Sequence, residues 1–304
     1  MKVLITGSNG QVGSELVSLL KSNVERRNYS MITETNRDVL DLDNVKSIQQ
    51  FLAFVAPDLI INAAAYTAVD RAENEKEIAF SVNASAVTEI ANYCNASGCK
   101  LVHISTDYVF DGELDRPYVE GDSTNPASVY GRSKLAGEMV IQERLEEHII
   151  LRTSWVFGAK GGNFVKTMLR LAEEKNELRV VADQYGAPTS ARAVAQAIAA
   201  IIGQLNREPR LERLWGTYHY SGSPFVSWAD FAREIFEQAT HRRIITESPR
   251  VCDICAADFP TPAVRPMNSR LDCSKLQSAF GIEPDDWKRS LGLMLDELTV
   301  SIQK

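Results

Sequence analysis

The sequence predicts an α/β protein: a Rossmann-type doubly wound parallel sheet, followed by a smaller C-terminal α/β domain. Three observations predict it. Short β-like apolar runs alternate with helical patterns through the first half of the chain, which is the signature of βαβ units. A glycine-rich turn, G-S-N-G-Q-V-G, joins the first such run to the first helical pattern. Beyond Trp155 the alternation loosens and proline becomes frequent, which marks a change of architecture.

Val3-Leu4-Ile5 is the first strand, and the segment from Gly7 to Gly13 turns into a helix with Val12, Leu16, Leu19 and Leu20 on its apolar side. Tyr29 to Thr33 supplies a weaker second strand. Asp43 stands as an N-cap, because Val45, Ile48, Phe51, Leu52 and Val55 recur behind it at helical spacing until Pro57 stops the run. Leu59-Ile60-Ile61 then meets Asn62-Ala63-Ala64-Ala65. A continuous apolar strand suits a sheet covered on both faces, and the small residues leave room for a ligand to approach closely. Ala79 to Cys94 reads as a helix, Leu101 to Ser105 as a strand, Tyr130 to Arg144 as a helix and Ile149 to Trp155 as a strand.

The second half predicts helices over Asn163 to Lys175 and Ala191 to Leu205, and a strand at Tyr218-His219-Tyr220. The stretch from Ser248 to Pro266, with Pro249, Pro260, Pro262 and Pro266, reads as an extended connection. Residues 1–155 are thus expected to form the first domain. Residues 156–304 are expected to form mainly the second, with elements near 191–222 returning to the first sheet.

Composition excludes several classes of function. The 304 residues carry a formal net charge of −7 and no basic run, which leaves no electrostatic footprint for nucleic acid or an anionic membrane. No apolar stretch approaches the length of a membrane span. The N-terminus enters a strand pattern at Lys2 without a charged lead and apolar signal region, so a cytoplasmic location is expected. Five cysteines spread over a long chain agree with a reducing compartment. Cys252 and Cys255 form a lone C-x-x-C with no second pair, which argues against a metal. The histidines, His103, His148, His219 and His241, are scattered and read as core or strand-surface residues.

The first glycines point to a dinucleotide. Gly7, Gly10 and Gly13 directly follow a strand and open a helix, so the backbone can approach a pyrophosphate that the helix N-terminus stabilises. The spacing G-x-x-G-x-x-G suits the short-chain reductase type. At the end of the second strand a carboxylate would bind ribose hydroxyls and an arginine would accommodate a 2′-phosphate. Glu34 and Arg37 offer both, which leaves NADH and NADPH open with a slight lean to NADPH.

Tyr130 and Lys134, four residues apart in Y-G-R-S-K, share one helix face. An ammonium beside a phenol favours phenolate and moves tyrosine toward a useful acid/base range. Thr106 ends a strand at the carboxyl edge where open α/β sheets place ligands. Hydroxyl, tyrosine and lysine in that order point to hydride transfer on a carbonyl, with Tyr130 as proton donor and Lys134 on the ribose.

The motifs G-S-N-G-Q-V-G, N-A-A-A-Y-T-A-V-D, S-T-D-Y-V-F-D-G, Y-G-R-S-K-L-A-G-E, R-T-S-W-V-F, D-Q-Y-G-A-P-T and R-P-M-N-S-R-L-D closely resemble dTDP-4-dehydrorhamnose reductases. These are extended short-chain dehydrogenases/reductases, and the resemblance runs nearly end to end. It implies cofactor contacts from Gly10, Gln11, Val12, Asp41, Leu42, Ala65, Tyr66, Thr67, Tyr130 and Lys134, with Ala63 and Ala64 beside them. Thr106, Asp107 and Trp155 would line the site of a dTDP-sugar. The reaction implied is reduction of the C4 ketone of dTDP-4-dehydro-6-deoxy-L-mannose to dTDP-L-rhamnose, in a monomer or homodimer. Tyr66 departs from the histidine of some relatives. Some members pair through Mg²⁺ held by surface carboxylates, for which Glu15 and Glu297 are the candidates, although isolated glutamates usually bind no metal. A 4,6-dehydratase or epimerase shares the fold, but a dehydratase would want a glutamate where this chain has Tyr108. A non-catalytic regulatory subunit is the other alternative, which the intact Thr106, Tyr130 and Lys134 disfavour.

Overall fold

A six-stranded parallel sheet organises the chain, in a computed structural model that describes residues 1–22, 29–205 and 214–302. Its strands are β1 (Lys2–Thr6), β2 (Met31–Thr35), β3 (Leu59–Asn62), β4 (Lys100–Thr106), β5 (His148–Thr153) and β6 (Gly216–His219). Their order is β6-β5-β4-β3-β1-β2, and every pairing is parallel. From β1 the chain turns to one side for β2 and to the other for β3. Connections diverge there, so a crevice opens at the carboxyl ends of these strands.

Alternating side chains cover both faces of the sheet. Val3, Ile5, Ile61, Val102 and Leu151 meet helices α1 (Gln11–Lys21) and, from the second half of the chain, Ala191–Leu205. Leu4, Ile60, Leu101 and Ile150 point the other way, onto α2 (Val45–Val55) and α3 (Ala86–Ser97). All residues of β3 and β5 are buried, which is why those segments read as continuous apolar runs rather than alternating ones. A further core lies among helices Phe164–Glu174, Trp228–His241 and Trp287–Ile302, around Phe157, Phe231, Phe236 and Trp287.

Local details depart from the sequence reading. β2 begins two residues later than expected, and the cap of α2 is Asn44, whose side chain accepts from the Ser47 amide at 3.1 Å. Asp43 instead donates its own amide to Asp41 Oδ1. The helix expected from Ala79 to Cys94 is built of Lys76–Phe80, a π-helical turn at Ser81–Ser85, and α3. The proline-rich stretch from Ser248 is more than a connection: Arg250–Ile254 forms a strand parallel to Glu177–Val181. The last strand of the sheet closes at His219 and pairs with β5. Among the described residues no helix is long and apolar enough to cross a membrane.

Candidate active site

A cavity of about 840 Å³ opens at the carboxyl ends of β1 to β5. Its floor begins with the glycine turn. Gly7 has φ of +70°, and a Cβ there would lie 2.8 Å from Ala64 Cα, so glycine is required on both counts. This close approach sets β1 against the small residues after β3. The cap of α1 is Gly10, with no side chain bonded to the helix's first amides. Those amides, together with the helix dipole, form a site for an anion.

The carboxyl end of β4 supplies Ser105, Thr106 and Asp107. Helix α4 (Val129–Arg144) supplies Tyr130 and Lys134 and is capped by Ser128, whose hydroxyl accepts from Gly131 N at 3.1 Å. Gly131 explains the Y-G pair: a Cβ there would sit 2.2 Å from Tyr108 O. Helix and strand end therefore touch directly. The Tyr108 ring packs edge-on against Tyr130, with centroids 5.5 Å apart.

Burial governs the electrostatics here. Tyr130 is pushed above the usual phenol range by burial, partly offset by a hydrogen bond with Thr106. The expected lowering by Lys134 is not what acts on it. The lysine is turned to other partners, donating to Ile104 O at 2.7 Å and lying 3.1 Å from His103 Nε2. Burial brings Lys134 down to about 8, with Glu138 opposing the shift. Burial also raises Asp107 to about 6, against hydrogen bonds from Ser269 and Thr106. Asp107 Oδ1 accepts from the Thr106 hydroxyl at 3.0 Å.

Three buried polar atoms on the cavity wall, Ser105 Oγ, Asp107 Oδ2 and Thr153 Oγ1, have no hydrogen-bond partner in the protein. Such orphans are costly unless a ligand or water completes them. Together with the uncapped α1 amides and the Gly7 cradle, they fit a long polar ligand of the dinucleotide kind with a sugar beside it. Beyond the strand ends, Trp155 sits at φ of +48°, stacked 3.5 Å from the Trp228 ring. Gly186 makes room for it, since a Cβ there would fall 2.5 Å from the indole.

Of the predicted site residues, the cavity brings together Gly7, Gly10, Gln11, Val12, Arg37, Asp41, Leu42, Ala63, Ala64, Ala65, Tyr66, Thr67, Thr106, Asp107, Tyr130, Lys134 and Trp155. Two of them lie elsewhere. Gly13 packs on the turn itself, where a Cβ would meet Gly7 O at 2.1 Å. Glu34 points away and pairs with Lys21 at 3.0 Å. Arg37 is thus the charged residue of that pair that reaches the cavity. Glu15 and Glu297 do come near each other in a small separate cleft, faced by Arg192 and Lys160. Among the described residues no group of three or more His, Cys, Asp or Glu is placed to hold a metal.

Several contributors escaped the sequence reading. Asn83, in the π-helical turn, accepts from Tyr66 N at 2.9 Å and donates to Ser133 Oγ at 2.9 Å, fastening the loop after β3 to α4. The R-P-M-N-S-R segment holds the site from behind: Asn268 donates to the carbonyls of Leu114 and Arg116, and Ser269 N to Tyr185 O. A buried asparagine inside a helical run was the available signal for Asn83. Nothing local announced Trp228.

Residues 1–300 match the family model described as the RmlD substrate binding domain. The chain belongs to that family. The RmlD-type relatives include the dTDP-4-dehydrorhamnose reductase of Aggregatibacter actinomycetemcomitans, 43% identical over 95% of this chain and 97% of the relative. The crystal structure of such a reductase from Clostridium acetobutylicum superposes with a TM-score of 0.89 at 37% identity, covering 98% of this chain and all of the other. The Bacillus anthracis reductase, solved in complex with NADP, gives 0.86 at 35% identity over 97% and 99% of the two chains.

Proposed function

We propose that this protein reduces the C4 ketone of dTDP-4-dehydro-L-rhamnose to dTDP-L-rhamnose with NADPH, in the cytoplasm, as a step of surface polysaccharide synthesis. The observation that carries this reading is the convergence of Thr106, Tyr130 and Lys134 with three unsatisfied polar atoms on one cavity wall. Residues 1–155, with the elements that rejoin their sheet, hold the cofactor in this reading, and the rest mainly the sugar nucleotide.

The α1 amides and the glycine turn hold the pyrophosphate, and Ala63 to Thr67 flank the nicotinamide half. Arg37 faces the adenosine end, where Glu34 is turned away. That favours NADPH, because a guanidinium suits a 2′-phosphate. When bound, the reduced nicotinamide supplies the hydride for the carbonyl carbon. Tyr130 gives its phenolic proton to the ketone oxygen, Thr106 hydrogen-bonds that oxygen, and Lys134 binds the ribose. Asp107 and Trp155 hold the sugar. Raised phenol basicity makes Tyr130 a firm proton holder until charge develops on the ketone oxygen, and donation of this kind is worth about 10² to 10⁴ in rate. Burial and the neighbouring Glu297 raise Glu15 above the usual carboxylate range, against Arg192 and Lys160, and the proton transfer itself calls for no Mg²⁺.

The test is NADPH oxidation, followed by absorbance, with purified protein and the 4-keto sugar nucleotide, with chromatographic identification of dTDP-L-rhamnose. Oxidation with that product supports the reading. Cofactor binding without turnover would support the non-catalytic subunit instead.

A further inference from the structure

His103 sits in the middle of β4 with no exposure to solvent. The parallel register aligns it with Asn62 on β3, and Asn62 with Thr6 on β1. Side chains at aligned positions leave the sheet on the same face, and here they meet. Thr6 Oγ1 lies 2.6 Å from Asn62 Oδ1, the Asn62 amide nitrogen 3.0 Å from His103 Nδ1, and His103 Nε2 3.1 Å from Lys134 Nζ. The Ala64 amide donates back to Thr6 Oγ1 at 3.4 Å. This buried polar row crosses three strands and ends on Lys134.

We propose that His103 is the positioning residue of Lys134: its neutral imidazole accepts one ammonium hydrogen at Nε2, while its Nδ1–H is anchored by Asn62. The inference rests on the reading of Lys134 as the group that holds the cofactor ribose. An ammonium has three hydrogens and no lone pair. Ile104 O takes one hydrogen at 2.7 Å, His103 takes the second, and the third is left for the cavity. An imidazolium in that place would repel the lysine, and burial together with the Lys134 charge holds His103 well below its usual range. The proton on Nδ1 then needs an acceptor. In the structure the Asn62 nitrogen faces Nδ1 and its oxygen accepts from the Thr6 hydroxyl; the two ends of an amide are alike in shape, and this wiring requires them exchanged, oxygen to His103 and nitrogen to Thr6. The unexchanged amide orientation goes with the opposite tautomer and an uncharged amine. The other groups facing Lys134 are Tyr130 one turn before it and Glu138 one turn after, and Glu138 is held by Arg152 of β5. His148 also acts on His103.

The wiring is read by ¹⁵N NMR of histidine-labelled protein near pH 7 without cofactor, with the His103 signals assigned by their loss in His103→Gln. The expected result is a neutral ring protonated at Nδ1 and bare at Nε2. A proton on Nε2 overturns the proposal. Two variants separate the ends of the ring. Glutamine can place an amide oxygen near the position of Nε2, so His103→Gln keeps NADPH affinity within a few-fold. His103→Asn can satisfy Asn62 but cannot reach Lys134, so its Kd for NADPH rises about tenfold or more and the alkaline limb of activity moves to lower pH. Equal effects of the two substitutions overturn the proposal. Wild-type protein that binds NADPH with the expected tautomer and fails to reduce the sugar would instead overturn the reductase reading.

Discussion

Helix α4 carries two buried charges one turn apart, and they live in opposite conditions. Glu138 receives three contacts of 2.6 to 3.1 Å from the Arg152 guanidinium, which is itself stacked over Phe110. Every polar atom there is answered by the protein. At Lys134 and across the cavity at Asp107, burial moves both groups toward neutral pH, and neighbouring oxygens are left without partners. The first region is built to hold the fold together. The second retains unspent hydrogen-bonding capacity, and a protein keeps such capacity where a ligand is to complete it.

Breaking the satisfied region has the largest expected effect on stability. Glu138→Leu leaves the Arg152 charge buried and alone, and unfolding in urea should register a loss of about 3 to 5 kcal/mol. The double substitution with Arg152→Met should recover most of it. If Glu138→Leu were as stable as wild type, the contrast between the two regions would fail.

The opposite sign is expected across the cavity. Asp107 has a folded-state value near 6 against an ordinary 3.8, so its ionisation costs stability that is intact below about pH 4 and lost as pH rises through 6. Asp107→Asn should therefore stabilise the protein at pH 7.5 by about 2 to 3 kcal/mol, with the gain vanishing near pH 4. Substrate KM should rise. A destabilised Asp107→Asn at pH 7.5 would mean that the carboxylate is structural.

Activity should also report on Lys134. Its ammonium is lost as pH rises through about 8, so kcat/KM is expected to fall about tenfold per pH unit above that point, measured at saturating NADPH with the sugar varied. A flat profile to pH 10 would show that its charge is not needed. The smallest effect is expected at the helix start: Ser128→Ala removes the cap of α4 and should cost about 1 kcal/mol in thermal or urea unfolding.

The same contrast explains what the sequence disclosed. β1, β3, β4 and β5 are apolar runs flanked by turn-forming residues, and their burial on both faces leaves a readable trace. The glycine turn is legible because Gly7 and Gly13 answer steric demands within thirteen residues. The buried side of α4 carries Tyr130, Ser133, Lys134 and Glu138, so hydrophobic periodicity gives no view of which face is inside; only the residue types at positions 130 and 134 marked it. Glu34 and Arg37 could not be ranked until the strand's pleat turned one of them away. Asn83, Trp228 and Asn268 act through contacts with residues distant in the chain, as Asn268 does 152 positions from Arg116, and linear order holds no record of them. The strand at Arg250–Ile254 was hidden by the prolines around it.

The most direct test of the account compares Tyr130→Phe with wild type in one preparation, measuring turnover of NADPH with the 4-keto sugar nucleotide beside the urea midpoint. The expected result is a kcat lower by about 10² to 10⁴ with the midpoint essentially unchanged. A variant that keeps most of its turnover, or one that loses turnover only because it unfolds, would contradict it.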